Sequence, residues 1–194
     1  MRQVALLFLF VLVVGLPAAA PAPPPRPADW AVRVGSGSLK NCYRVSEELY
    51  RCEQPTRANL GELKALGIHS ILNLREHHTD SKDFEKAGVK LYLERMEAGE
   101  LTVDNLVAAL RQFRAAPKPV LVHCWHGSDR TGSVVAAYRI VFQNWTPAAA
   151  LDELRHGGYG YHEKWFPNII TLFEKLDAAE LRRRVLADDP VATR

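Results

Sequence analysis

Long apolar runs are almost missing from this chain of 194 residues. The one exception, Val4 to Leu16, is shorter than the roughly 20 residues a spanning helix needs. Cysteine is scarce too: three residues exclude a disulfide-dense scaffold. Neither sign of charge dominates, with 25 Lys and Arg against 22 Asp and Glu, a net charge of +3. With 47% hydrophobic residues, that balance argues against a disordered chain and against a polybasic nucleic-acid binder. No internal repeat is visible, and nothing after residue 30 is low-complexity. No His, Cys and carboxylate group has convincing metal-ligand spacing, and His77-His78 is an isolated pair. The length suits one domain.

The start of the chain stands apart. Arg2, an apolar run and then LPAAAPA follow the order of a secretory signal over residues 1–22. Pro21 and Pro23 sit awkwardly for a cleavage site, so an uncleaved membrane anchor within residues 4–20 is the alternative. A lipid-modified cysteine is excluded there, because no cysteine lies near that zone. Residues 23–38 read as a Pro-rich spacer, 39–184 as the folded domain and 185–194 as a frayed tail. The expected location is outside the cytoplasm, periplasmic or secreted, and the membrane is a partner only if the anchor stays.

Export would permit a disulfide. In NCYRVSEELYRC a hairpin centred on Glu47 sets Cys42 opposite Cys52, within bonding reach; two free, half-buried thiols are the other reading. Either way, Cys124 is left over.

Along the domain, strands and helices alternate. Leu60, Leu63 and Leu66 mark a short helix closed by Gly67, and HSILNLRE (69–76) a buried strand. DSKDFEKAG suits a second helix, VKLYLERM a strand and LTVDNLVAALRQFRAA a long helix stopped by Pro117. PVLVH (119–123) is a central strand, and Thr131 to Gln143 a buried helix. A further helix starts at Thr146-Pro147. A last one spans about 163–184, with Trp165, Phe166, Ile169, Ile170, Leu172, Phe173 and Leu176 as its buried stripe. The pattern predicts an α/β sandwich: a mostly parallel central sheet flanked by helices, with an N-terminal hairpin.

The segment VHCWHGSDRTG (122–132) then joins the carboxyl end of a central strand to a helix, where open α/β sheets bind ligands. Such a loop can aim successive backbone N–H groups and a helix N-terminus at an anion. Gly127 permits the turn, and Arg130 can fork onto two phosphate oxygens. The same field favours the thiolate of Cys124, which could attack phosphorus in line. Thr131 could donate to the sulfur and ease its departure. No metal or other cofactor is required.

C-x5-R followed by Thr, with His before the Cys, resembles the cysteine-dependent phosphatase signature. VHCWHGSDRTG is closer still to the small bacterial dual-specificity-like phosphatases. LYRCEQPT resembles their LYRSGQP opening, ILNLRE their strand before the variable loop, and AAYRIVFQNWT with GGYGYH their C-terminal half. The resemblance covers about residues 40–176 and implies a tyrosine-phosphatase-like domain, with Cys124 as nucleophile and Arg130 as phosphate binder. Rhodanese-type sulfurtransferases also carry a cysteine loop after a strand, but theirs is shorter and lacks Asp-Arg-Thr-Gly.

The proton donor is less clear. The wider superfamily places an aspartate after the strand preceding the long helix; here ERMEAGELTVDN has Glu97, with Glu100 and Asp104 nearby. Asp129 is the expected acid, with Glu97 in a supporting place, because C-x-x-G-x-D-R-T is similar to myotubularin-type phosphoinositide phosphatases, for which an in-loop aspartate acid has been proposed. A carboxyl beside a phosphate keeps its proton more readily, which suits an acid. A purely structural role for Asp129, bracing Arg130 or the loop amides, remains open.

Among the neighbours, His123 is expected to hold the loop backbone, with Trp125, His126, Gly127 and Ser128 lining the substrate. His162 could reach in from GGYGYH, and Arg75 could support the loop. Arg182 to Arg184 read as a solvated helix face. The expected activity is phosphomonoester hydrolysis of the phosphotyrosine or phosphoprotein type by a monomer. A phosphoinositide or inositol-phosphate phosphatase and a catalytically silent phosphate-binding module are the alternatives. Against the inositol reading, Trp125 and His126 leave no lysine in the loop.

Overall fold

SILN and VLVH, two runs with no exposed residue, form the centre of the sheet. The computed structural model describes residues 26–35 and 37–187. The signal or anchor segment 1–22, the first residues of the spacer and the end of the tail lie outside the described residues.

Six strands are seen: β1 (Val32–Arg33), β2 (Tyr43–Arg44), β3 (Leu49–Cys52), β4 (Ser70–Asn73), β5 (Lys90–Leu93) and β6 (Val120–His123). Their order is β1-β2-β3-β6-β4-β5. β1, β2 and β3 pair antiparallel, whereas β3–β6, β6–β4 and β4–β5 pair parallel. Strands buried on both faces need helices on both faces, and those are present. On one side Ile71 and Leu121 pack with Leu63 of α1 (Leu60–Ala65) and Phe84 of α2 (Lys82–Lys86). On the other, Leu72, Val120 and Val122 face α3 (Val103–Ala115), α4 (Asp129–Phe142), α5 (Pro147–His156), α6 (Pro167–Glu174) and α7 (Ala178–Leu186). Period-two alternation along β4 and β6 thus divides the core in two.

Several sequence expectations need correction. Residues 26–38 are not all spacer: β1 lies inside that range and joins the sheet. Arg26 also donates to Gly157 O (2.5 Å), Ala31 O (2.8 Å) and Tyr159 Oη (2.8 Å). The single last helix is two, since Pro167 starts α6 and the Asp177 carboxylate caps α7 at Ala179 N and Glu180 N. Trp165 therefore falls in the turn before α6 and is 80% exposed, and α7 carries helix to Leu186, into the expected tail. Arg182 and Arg184 are not free on a solvated face; they donate to Ile140 O (2.9 Å) and Asp104 Oδ1 (2.6 Å).

The Cys42–Cys52 disulfide is absent, and both are free thiols. The hairpin register is centred on Glu47, with Tyr43 opposite Arg51 and Arg44 opposite Tyr50. Both thiols are nevertheless packed as small apolar groups beside Leu39, Leu63 and Ile71. Burial, helped by Glu62, pushes Cys42 up to about 12, and burial raises Cys52 as well, so neither is a ready thiolate.

Candidate active site

Cys124 follows directly on β6, and α4 begins five residues later at Asp129, two residues before the sequence pattern suggested. The intervening loop is organised by where its carbonyls go. Those of Cys124, Trp125, His126 and Gly127 accept in turn from His123 Nδ1 (2.9 Å), Gln54 N (3.0 Å), Asn41 Nδ2 (2.8 Å) and Arg51 Nη2 (2.7 Å). Four consecutive carbonyls are therefore turned outward. In a planar peptide the N–H points opposite to the C=O, so the amides of residues 125–128 face the inside of the loop. That is an anion cradle, completed by the N-terminus of α4.

Gly127 makes the close approach possible. Its φ is +72°, and a Cβ there would lie 2.3 Å from Cys52 O. The loop thus rests directly on the end of β3, in LYRCEQPT. At the far side, Ser128 Oγ donates to Tyr159 O (2.7 Å), tying the loop to the 157–162 turn.

Two side chains at the cradle carry buried polar atoms with no partner, Arg130 Nε and Thr131 Oγ1. Arg130 is otherwise steadied by Met96 O, 3.4 Å from Nη1. Their chemistry suits a phosphate dianion and a sulfur leaving group. His123 is fully buried, with Nε2 3.1 Å from Asp80 Oδ2. Both ring nitrogens are engaged, which holds the backbone beneath Cys124.

The candidate acids fall in different places. Asp129 is buried, and its Oδ1 accepts from His162 N (2.9 Å) while Oδ2 lies 2.9 Å from His162 Nδ1. Its carboxylate is committed to the GGYGYH turn. Glu97 is exposed, one residue beyond Met96, and shares a hydrogen bond with Glu76. That bond, then burial and the Glu76 charge, raises the Glu97 carboxyl above its ordinary range, while Arg130 pulls the other way. Glu100 ends the 3-10 turn that starts at Ala98, and Asp104 pairs with Arg184. Glu76, His77 and Glu97 have ligand atoms within 4.8 Å of one another, but an exposed acidic group of this kind is no metal site by itself.

The rim is aromatic and basic. Trp125 is 57% exposed under the Arg75 guanidinium, 4.2 Å from its ring centroid. His126 meets the His162 ring edge-on at 5.6 Å. Sequence reasoning missed Arg51, Asp80, Asn41, Gln54 and Tyr159. A signal existed for Arg51, a lone arginine where β3 should point into the core.

An outward-turned carbonyl loop with a cysteine at its base and Arg-Thr at the next helix defines the cysteine-loop class of phosphate-ester sites. The family model "Dual specificity phosphatase, catalytic domain" matches residues 49–169, and the chain belongs to that family. It is 36% identical over 122 residues to the dual specificity protein phosphatase TpbA of Pseudomonas aeruginosa, covering 62% of this chain and 56% of TpbA. The chain thus matches little more than half the length of that relative. It is 29% identical to the inositol diphosphatase DSP5 of Arabidopsis thaliana, over 74% of this chain and 72% of DSP5. A crystal structure of P. aeruginosa TpbA in complex with pTyr superposes with a TM-score of 0.73 at 31% identity, covering 83% of this chain and 98% of that one. The fold is the α/β sandwich of tyrosine-phosphatase-like enzymes.

Proposed function

We propose that the chain is a metal-independent phosphomonoesterase of the phosphotyrosine type, acting through a cysteinyl-phosphate. The observation that carries this reading is the set of four outward carbonyls, which leaves the amides of residues 125–128 around one point above Cys124. The Cys124 thiolate attacks phosphorus, and the S–P bond forms as the P–O bond to the leaving group breaks. Arg130 and the loop amides stabilise the equatorial oxygens. Glu97 gives its proton to the departing oxygen. Water then attacks phosphorus, Glu97 takes a proton from it, and sulfur leaves under a hydrogen bond from Thr131. Glu97 is favoured over the Asp129 that the sequence suggested, because it directly follows Met96, whose carbonyl meets Arg130, and the neighbouring Glu76 raises it, whereas Asp129 already accepts two contacts from His162. Export of the domain through residues 1–22 belongs to the same proposal; N-terminal sequencing of the mature protein tests it.

Turnover of p-nitrophenyl phosphate without metal, followed from pH 4 to 8, tests the chemistry. Cys124→Ser should lose at least about 10⁴-fold in kcat. Glu97→Gln should flatten the basic limb, because a neutral amide has no proton to lose. Glu76→Gln should move that limb to lower pH, since Glu97 then loses the neighbour that raises it. Asp129→Asn should leave the limb in place; if it alone removes the limb, Asp129 is the acid. A wild-type protein that binds vanadate without turnover would be a silent phosphate-binding module.

A second reading, inositol-phosphate hydrolysis, is favoured by the rim, where Arg75, His126 and His162 could meet further phosphates. The similarity to DSP5 points the same way. Comparing kcat/KM for a phosphotyrosyl peptide with that for a diphosphorylated inositol decides between them.

A further inference from the structure

Beneath the loop, β3 places a charge where the core should be apolar. Leu49 and Arg51 share the face of β3 that meets the helical side of the core, and Arg51 is 1% exposed. Its Nη2 donates to Gly127 O at 2.7 Å. Its guanidinium carbon lies 3.7 Å from the centroid of the Tyr159 ring, and Nε has no partner. A Cβ on Gly132 would sit 3.7 Å from Nη2, so the cation is wedged between the loop and the first turn of α4.

The local charges do not cancel. Arg26 and Arg51 lie against the Tyr159 ring, whose hydroxyl meets Glu153, and Glu153 pairs with Arg139. Glu153 is already occupied by Arg139 Nε (2.8 Å) and Nη2 (2.9 Å), Ala31 N (2.7 Å) and Tyr159 Oη (2.8 Å). Arg51 makes no ion pair among the described residues. Burial pulls its pKa down, and Tyr159, Glu153 and Cys124 oppose that pull. A buried arginine stays cationic and needs a counter-charge. Cys124, buried in the same part of the core as Leu49, would supply one as a thiolate.

We propose that Arg51 is a positioning residue for the nucleophile, clamping the loop at Gly127 from below while its charge holds Cys124 as a thiolate. The proposal rests on Cys124 being the nucleophile. Two functions are combined in one side chain, because the fork that orients the Gly127 peptide also puts an unpaired cation beneath the loop.

Alkylation of Cys124 by iodoacetamide, read on the Cys124 peptide by mass spectrometry from pH 4 to 9, tests this without turnover. Arg51→Met should raise the pH of half-maximal rate by at least one unit, about a tenfold loss of thiolate at acidic pH. Arg51→Lys keeps the charge and should keep the midpoint within a few tenths of a unit, while kcat falls as the Gly127 clamp weakens. If Arg51→Met does not fold by circular dichroism, Arg51→Gln, which still offers a donor to Gly127, carries the same expectation. A folded Met or Gln variant with the wild-type midpoint overturns the proposal. A wild-type Cys124 that titrates like a free thiol would overturn the nucleophile reading itself, a different result.

Discussion

The two sides of the Cys124 loop are built on opposite principles. Underneath, Arg51, Cys52, His123 and Gly127 are buried, and each loop carbonyl has a dedicated donor. Above, the side chains of Trp125 and His126 are exposed and make ring contacts, with Arg75 and His162 as neighbours. Amides that stabilise developing charge must be in place before the reaction, so the loop carbonyls of the floor are each held by a donor. Substrate recognition tolerates replaceable side chains, so the rim is loosely attached. Mutations below should act on kcat or folding, and mutations above on KM.

The sharpest break of that contrast is Gly127→Ala. A Cβ 2.3 Å from Cys52 O, at a φ of +72°, forces the loop off β3. A displacement of about 1 Å is worth about 10²-fold in rate, so kcat should fall by that order while KM changes less. Steady-state kinetics of the folded variant checks it. Next comes Glu153→Gln, one shell further down. It leaves Arg139 buried with a broken pair, at a cost of about 3 kcal/mol, read as a lower denaturant midpoint. Burial alone would raise the Glu153 carboxyl, but the Arg139 bonds outweigh it and hold it below the usual glutamate range. Its contribution is therefore present above the unfolded glutamate pKa, and is lost as pH falls through the lower folded value. Wild-type stability should fall steeply with acid there, and the Gln variant less so. The smallest effect belongs to the rim: Trp125→Ala loses a stacking contact with Arg75 worth about 0.5–1 kcal/mol. KM should rise two- to fivefold with kcat nearly unchanged; an equal fall in kcat would place Trp125 in the floor's category.

How much of this could be read from residues alone depends on distance along the chain. The strand-loop-helix around Cys124 is local, and the apolar run of VLVH, Gly127 and the helix after Arg130 each carry their own signal. The parallel sheet followed from strands alternating with helices. The breaks at Pro167 and Asp177 were also local signals, but the apolar stripe from Trp165 to Leu176 continues helical spacing across the first and masked it. Trp165 looked like part of the stripe for the same reason. The disulfide illustrates another limit: opposite positions in a hairpin are necessary for a bond, but the core around Leu63 and Ile71 receives both thiols unbonded.

The sequence by itself determined the class of this protein, because the nucleophile, the phosphate-binding arginine and the turn-forming glycine lie within seven consecutive residues whose local conformation they set. Only the tertiary structure decided what supports and primes that loop. Arg51, Asp80, Asn41 and Tyr159 reach it from four separate segments. Glu76 and Glu97, from different strand ends, come together only because β4 and β5 are parallel neighbours. Such contacts come from chain closure over tens of residues, and no local pattern of residue types encodes them.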